Sequence, residues 1–268
     1  MPIRLLATDL DGTLLGIDRR VSEGNRNAVR RCLNAGIHVV LASGRNITGV
    51  LGHVEALDLN GPLVCCNGAH VLMRPDLELE HHTLSTDICQ TLLTMGSSRG
   101  LHVHFYSRER LLFVTDDGWG KMYLGRLEGV AAETVRESDV LDAQITKAMF
   151  VAPQHTIKAL HAKCLISPEF ALADLTLSES EYLEFLPKHA NKGSGLRAVA
   201  AELGIPRHET AAIGDYINDL PMLEWVGVSG AVSNAAPEVK AIVKVQVGTN
   251  EAGGVAQFID SYVLNARE

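Results

Sequence analysis

The stretch Ile3-Arg4-Leu5-Leu6-Ala7-Thr8-Asp9-Leu10-Asp11-Gly12-Thr13 decides how the fold is read. Its first six residues form a short, mostly apolar run, the mark of a strand buried on both faces. Two carboxylates follow, two positions apart, so on an extended chain they point to the same side. In an open α/β sheet the carboxyl end of a strand is where ligands bind. Close carboxylates repel unless a cation or a shared proton relieves them. Gly12 lets the chain turn sharply beside such a ligand. Ordinary Asp-Gly turn chemistry would produce the same letters, so the rest of the chain has to decide between them.

The segments that follow keep the rhythm of a parallel sheet. Ser22 is a fitting N-cap for a helix running to about Asn34, with Asn25 at the capping-box position and Gly36 at the stop. Ile37 to Ala42 is a second buried strand, Ile47 to Leu57 a helix and Leu63 to Cys66 a third strand, in the order that builds right-handed crossovers. The pattern changes after about His81. Helices are expected at Ser85–Arg99, Asp117–Leu127 and Gln154–Lys163. Strands are expected at His102–Tyr106, Leu111–Thr115, Ile145–Val151, Phe170–Leu175 and Tyr182–Leu186. Nine of the 13 aromatic residues lie between Thr83 and Lys188, which argues for a separate core there. The first rhythm then returns: a helix at Lys192–Leu203, a strand at Thr210–Ile213, and helices at Asp219–Trp225, Pro237–Ala241 and Gly254–Val263. The expectation is an α/β domain made of residues 1–82 and 189–268, with an α+β domain of residues 83–188 inserted in it.

Composition limits what such a protein does. Of 268 residues, 46% are hydrophobic and 21% charged, enough for a sizeable core. The formal charge of -8 argues against nucleic acid as a partner, since that binding rests on surplus Lys and Arg. No apolar stretch is long enough to span a membrane, and Asp9 and Asp11 interrupt the only run that resembles a signal peptide. The five cysteines have no paired spacing and read as reduced thiols, so a cytoplasmic protein, monomer or homodimer, is expected.

Three further segments share the placement of the acidic pair. Ser43-Gly44-Arg45 ends the second strand, where a hydroxyl and backbone N–H groups suit a phosphoryl oxygen. Asn191-Lys192-Gly193 opens a helix and supplies a point charge for a phosphate. Gly214-Asp215-Tyr216-Ile217-Asn218-Asp219 follows a buried strand. There Asp215 stands where a metal-binding carboxylate would meet Asp9, with Asn218 and Asp219 on its side of a helical turn. Each is unremarkable alone; together they fall at strand ends or helix starts that one site can gather. His81-His82 and His102-Val103-His104 lack an acidic or Cys partner at ligand spacing and read as surface or packing residues. Arg108-Glu109-Arg110 reads as a solvated turn.

These segments resemble the motifs of the haloacid dehalogenase superfamily, in its Cof-type phosphatase branch: Asp9-Leu10-Asp11-Gly12-Thr13-Leu14 the first, Ser43-Gly44-Arg45 the second, Lys192 the third, Gly214-Asp215 through Asn218-Asp219 the fourth. Cys66-Asn67-Gly68-Ala69 is similar to a segment frequent in that branch. The resemblance implies a Rossmann-like core with an inserted cap that selects substrate, and a phosphatase for small phosphorylated metabolites such as sugar phosphates. It implies Asp9 as nucleophile and Asp11 as general acid and base. It implies Mg²⁺ held by Asp9, the Asp11 backbone carbonyl and Asp215. Leu10, Ser43, Gly44, Arg45, Lys192 and Asn218 would bind the phosphate or substrate, and Asp219 would orient Lys192 or a metal-bound water. A sugar phosphomutase and a non-catalytic phospho-ligand sensor use the same framework and stand as alternatives.

Overall fold

The computed structural model describes residues 2–127 and 129–265. The elements run, in order, β1 (Leu5–Thr8), α1 (Glu23–Asn34), β2 (His38–Ala42), α2 (Thr48–Ala56), β3 (Leu63–Cys65), β4 (His70–Arg74) and β5 (Leu77–His81). Then come α3 (Thr86–Arg99), β6 (His102–Ser107), β7 (Arg110–Phe113), α4 (Gly118–Leu124), β8 (Ala132–Thr134), α5 (Glu137–Leu141), β9 (Lys147–Val151), α6 (Gln154–Leu165), β10 (Ala173–Glu179) and β11 (Tyr182–Pro187). The last stretch holds α7 (Lys192–Glu202), β12 (Thr210–Gly214), α8 (Leu220–Trp225), β13 (Val228–Val232), α9 (Pro237–Ile242), β14 (Val245–Val247) and α10 (Gly254–Phe258).

The chain folds as two compact units. The first holds the residues up to Gly44, Val50–Glu80 and the chain from Asn191; the second holds Arg45–Gly49 and His81–Ala190. In the first, eight strands lie in the order β14-β13-β12-β1-β2-β3-β4-β5. β1 pairs in parallel with β12 on one side and β2 on the other, and β2 pairs in parallel with β3. The sheet is therefore parallel where its strands are buried, as crossover helices require. β4 departs from the expected arrangement: it pairs antiparallel with β3, and β5 follows it at the edge. The connection from β3 to β4, residues 66–69, is too short for a crossover, and so is the Pro75-Asp76 connection from β4 to β5. β13 and β14 also escape sequence reading, the first interrupted by Gly230 and the second only three residues long.

Two local predictions gain detail. The Ser22 hydroxyl does accept from the Asn25 N–H. Asn25 closes no capping box, because its side chain donates to the Leu14 carbonyl and accepts from the Ala256 N–H, tying α1 to the acidic turn and to α10. The helix expected over Gly254–Val263 is present, α-helical to Phe258 and continuing as a wider π-helix over Ile259–Leu264.

In the second unit six strands lie in the order β10-β11-β9-β6-β7-β8. The period of two divides β6 cleanly. Val103 and Phe105 enter an apolar core with α3, α6, Phe150, Leu183 and Phe185, each buried aromatic or leucine contributing about 1.5–3 kcal/mol. His102, His104 and Tyr106 occupy the opposite face and are equally buried. The strand expected at Phe170–Leu175 begins only at Ala173, because Pro168–Phe170 forms a tight turn. The helix expected over Asp117–Leu127 is the shorter α4, capped by the Asp117 side chain. That carboxylate also reaches His102 Nδ1 at 3.0 Å, an acidic partner that spacing did not reveal. The Arg108–Arg110 turn is anchored rather than merely solvated: the Glu109 carbonyl accepts from Asn46 Nδ2 and Thr48 Oγ1.

Candidate active site

Sheet order builds the site. β12, β1, β2 and β3 are parallel neighbours, so the residues just past them stand side by side: Asp215, Asp9, Ser43 and the Cys66–Gly68 turn. The chain after β1 makes a wide turn over Leu10–Leu14, opened by left-handed backbone at Gly12. A Cβ at Gly12 would collide with the Asp215 carboxylate, so only glycine lets the two segments come this close. Asn234 Nδ2 donates to the Gly12 carbonyl at 2.8 Å and holds the turn from the far side. Thr13 Oγ1 donates to Asp215 Oδ1 at 2.9 Å. The sequence pattern assigns Thr13 no role, and the fold gives it one.

Lys192 is the hub. Its Nζ donates to Asp9 Oδ1 at 2.5 Å and to Asp219 Oδ1 at 2.6 Å, with the lysine fully buried. Asn191 caps α7 by accepting from the Ser194 N–H, and Ser194 Oγ accepts from the Asn191 N–H, so the helix start is fixed on both sides. Asp219 Oδ2 accepts from the backbone N–H groups of Asp215 and Tyr216 at 2.8 and 3.1 Å. Both oxygens of Asp219 are thus engaged, one by the ammonium and one by the turn that carries Asp215.

Charge explains the chemistry available here. Burial would push the Lys192 ammonium down, but the carboxylates of Asp219 and Asp9 outweigh it and hold its pKa above the usual lysine value. Asp9 is raised well above the carboxylate range by burial; Lys192 pulls it down, and Asp219, Asp215 and Asp11 push it up. Asp215 is raised to about 7 by burial and then by the charge of Asp219. One ammonium does not neutralise three carboxylates, of which Asp9 and Asp219 are buried and Asp215 half-buried. Oxygens of Asp9, Asp215 and Asp219 lie within 4.8 Å of one another. With Asp219 already spent, Asp9 and Asp215 remain as hard oxygen donors whose repulsion a small dication would relieve. That donor set fits Mg²⁺.

The other predicted residues are placed as follows. Asp11 is half-exposed, its carboxylate 3.9 Å from Arg19 Nη1, and it stands outside the three-carboxylate cluster. Leu10 is buried, and its carbonyl accepts from the Leu15 N–H at 2.9 Å. Ser43 is buried, its N–H donating to the Val64 carbonyl, and Gly44 follows it as the last residue of its segment in the first unit. Asn218 Nδ2 donates to Asn67 Oδ1 at 3.0 Å. Arg45 belongs to the second unit, where its Nη1 donates to the Gly49 carbonyl at 3.2 Å.

Comparison with known proteins bears on this geometry. The family model for haloacid dehalogenase-like hydrolases matches residues 6–259. Among curated proteins, the chain is 28% identical to the 5-amino-6-(5-phospho-D-ribitylamino)uracil phosphatase YitU of Bacillus subtilis, over 96% of this chain and 97% of that one. It is 29% identical to the phosphatase YwpJ of the same organism, over 96% and 99% of the two chains. Among solved structures, a haloacid dehalogenase-like hydrolase from B. subtilis superposes with a TM-score of 0.88 at 23% identity, covering 97% of this chain and all of that one.

Proposed function

The chain belongs to the haloacid dehalogenase-like hydrolases and is a phosphatase, and we propose that it hydrolyses small phosphomonoesters, sugar phosphates among them, with Mg²⁺ as cofactor and Asp9 as nucleophile. The observation that carries this reading is the buried Asp9–Lys192–Asp219 chain beside Asp215.

In this reading an Asp9 carboxylate oxygen attacks phosphorus. The bond from phosphorus to the ester oxygen breaks, and Asp11 gives its proton to the departing alkoxide. The half-exposed position of Asp11 supports a role in which it exchanges protons with substrate and solvent. Asp11 then removes a proton from the water that attacks the aspartyl-phosphate, and inorganic phosphate leaves with Asp9 restored. Lys192 and Ser43 bind phosphoryl oxygens, where charge gathers in the transition state. Asp219 keeps Lys192 aimed. When bound, Mg²⁺ supplies positive charge that offsets Asp9, Asp215 and the phosphate, held by those carboxylates and the Asp11 backbone carbonyl. The inserted residues 83–188, with Arg45, select the substrate.

A cytoplasmic setting accords with five buried free cysteines, and no helix among the described residues is long and apolar enough to cross a membrane. The test is phosphate release from a panel of phosphomonoesters with Mg²⁺, beside Asp9→Asn. The wild type should turn over several sugar phosphates, and Asp9→Asn should lose turnover entirely. Hydrolysis of p-nitrophenyl phosphate by Asp9→Asn at the wild-type rate would rule the mechanism out.

A further inference from the structure

The turn Cys66-Asn67-Gly68 after β3 has no role in the chemistry above, yet it is built at a cost. All three residues have left-handed backbone, with φ of 47°, 51° and 93°, and all three are buried. Glycine adopts this freely and asparagine tolerates it, whereas cysteine is strained there. Such strain persists where the surroundings over-determine it, and it gathers at functional sites.

The surroundings here are three of the segments that carry candidate residues. The Asn67 N–H donates to the Ser43 carbonyl at 3.0 Å. Gly68 lies against the backbone of Asn191, the residue before Lys192, so closely that a Cβ would collide with the Asn191 carbonyl. Asn67 Oδ1 accepts from Asn218 Nδ2 at 3.0 Å, with both side chains buried. One amide hydrogen of Asn218 is thereby spent, which fixes the plane of its carboxamide.

We propose that Asn67 is a positioning residue of the phosphoryl-transfer site: it orients the Asn218 carboxamide and sets the distance between Asn218 and Ser43. This rests on the aspartyl-phosphate reading. Position 67 makes three demands: left-handed backbone, an acceptor at the reach of a two-carbon side chain, and no charge. Glycine meets the first and third. Aspartate meets the first two but adds a carboxylate to a site that already gathers Asp9, Asp215 and Asp219. Asparagine meets all three.

A double-mutant cycle in steady-state hydrolysis of p-nitrophenyl phosphate with Mg²⁺ tests this. Asn67→Gly keeps the backbone unstrained and removes only the side chain. Asn67→Gly and Asn218→Ala should each lower kcat/KM by roughly tenfold to a hundredfold, the usual effect of losing a group that orients a site residue. The double variant should be no worse than the poorer single, because both remove one interaction. Asn67→Asp keeps an acceptor, so it should recover most of the kcat lost in Asn67→Gly while raising KM through repulsion of the phosphate. Wild-type kcat/KM in Asn67→Gly, or losses that multiply in the double variant, overturns the proposal. Should Asn67→Gly lose its cooperative melt, Asn67→Asp decides alone, and a kcat as low as that of Asn218→Ala overturns it. An inactive Asp9→Asn beside a fully active Asn67→Gly sinks only this proposal; an active Asp9→Asn sinks the mechanism beneath it.

Discussion

Asp215 titrates in a range where its effect on stability can be measured. Its carboxyl is raised from 3.8 to about 7, by burial first and the charge of Asp219 second. An acid whose folded pKa exceeds its unfolded value holds its proton more tightly when folded. The stability it contributes is complete below pH 3.8 and is lost as pH rises through about 7. The metal-free protein should therefore lose melting temperature over that window, by more than Asp215→Asn does. Added Mg²⁺ should raise the melting temperature more at about pH 7 than at about pH 5, since the ion competes with a proton at the lower pH. Thermal melts of both proteins across pH, with and without Mg²⁺, check this. A Mg²⁺ shift independent of pH, or intact in Asp215→Asn, removes Asp215 from the ion's donors.

Helix α7 carries the lysine against its own electrostatics. A cation at a helix N-terminus meets the positive end of the macrodipole, and Asp9 and Asp219 reverse that preference at Lys192. The approach of α7 depends on Gly193, where a Cβ would collide with the Pro221 carbonyl at the start of α8. Backbone cannot swing aside as a side chain can. Gly193→Ala should cost about 1–3 kcal/mol of stability, the usual price of overpacking. It should also lower kcat/KM, because the displaced turn carries Lys192; urea unfolding and phosphate-release kinetics measure the two effects. At this scale most helices and the buried central strands were legible, since Ser22, Ser85 and Asn191 are N-caps that the sequence displays. β4, β5, β13 and β14 were not, because they lie toward the two edges of the sheet, where pairing partners rather than a continuous apolar run define a strand.

At the scale of the whole molecule, acid stability falls to the inserted unit. His102 and His104 sit on the face of its sheet opposite the apolar core, their ring nitrogens 3.1 Å apart, and burial lowers the pKa of both. Asp117 draws His102 partly back, while His102 and Lys147 push His104 further down. A histidine depressed in the folded state contributes stability that is present above its unfolded pKa of 6.5 and lost as pH falls below it. Urea midpoints should fall between about pH 7.5 and about pH 5.5, and His104→Gln should narrow the fall. An unchanged pH dependence in His104→Gln would assign the loss elsewhere. The same face buries a Lys147–Glu184 ion pair at 2.9 Å, which no periodicity in the chain announces, since both residues stand at positions that also suit solvent.

Sequence by itself determined the order of elements in the core, the carboxyl-end placement of Asp9, Ser43 and Asp215, and the family those motifs resemble. These are properties of short stretches: an apolar run bounded by a turn, a cap before a helix, a carboxylate one residue past a strand. Tertiary structure decided the partners. Lys192 bridges Asp9, 183 positions away, and Asp219, 27 away, and Asn67 holds Asn218 across 151 residues. Local pattern tells which face of an element is buried but not which distant element covers it. That choice comes from the strand order β12-β1-β2-β3, which sets four strand ends in a row and makes the acidic pair first read at Asp9 into a charged, desolvated site.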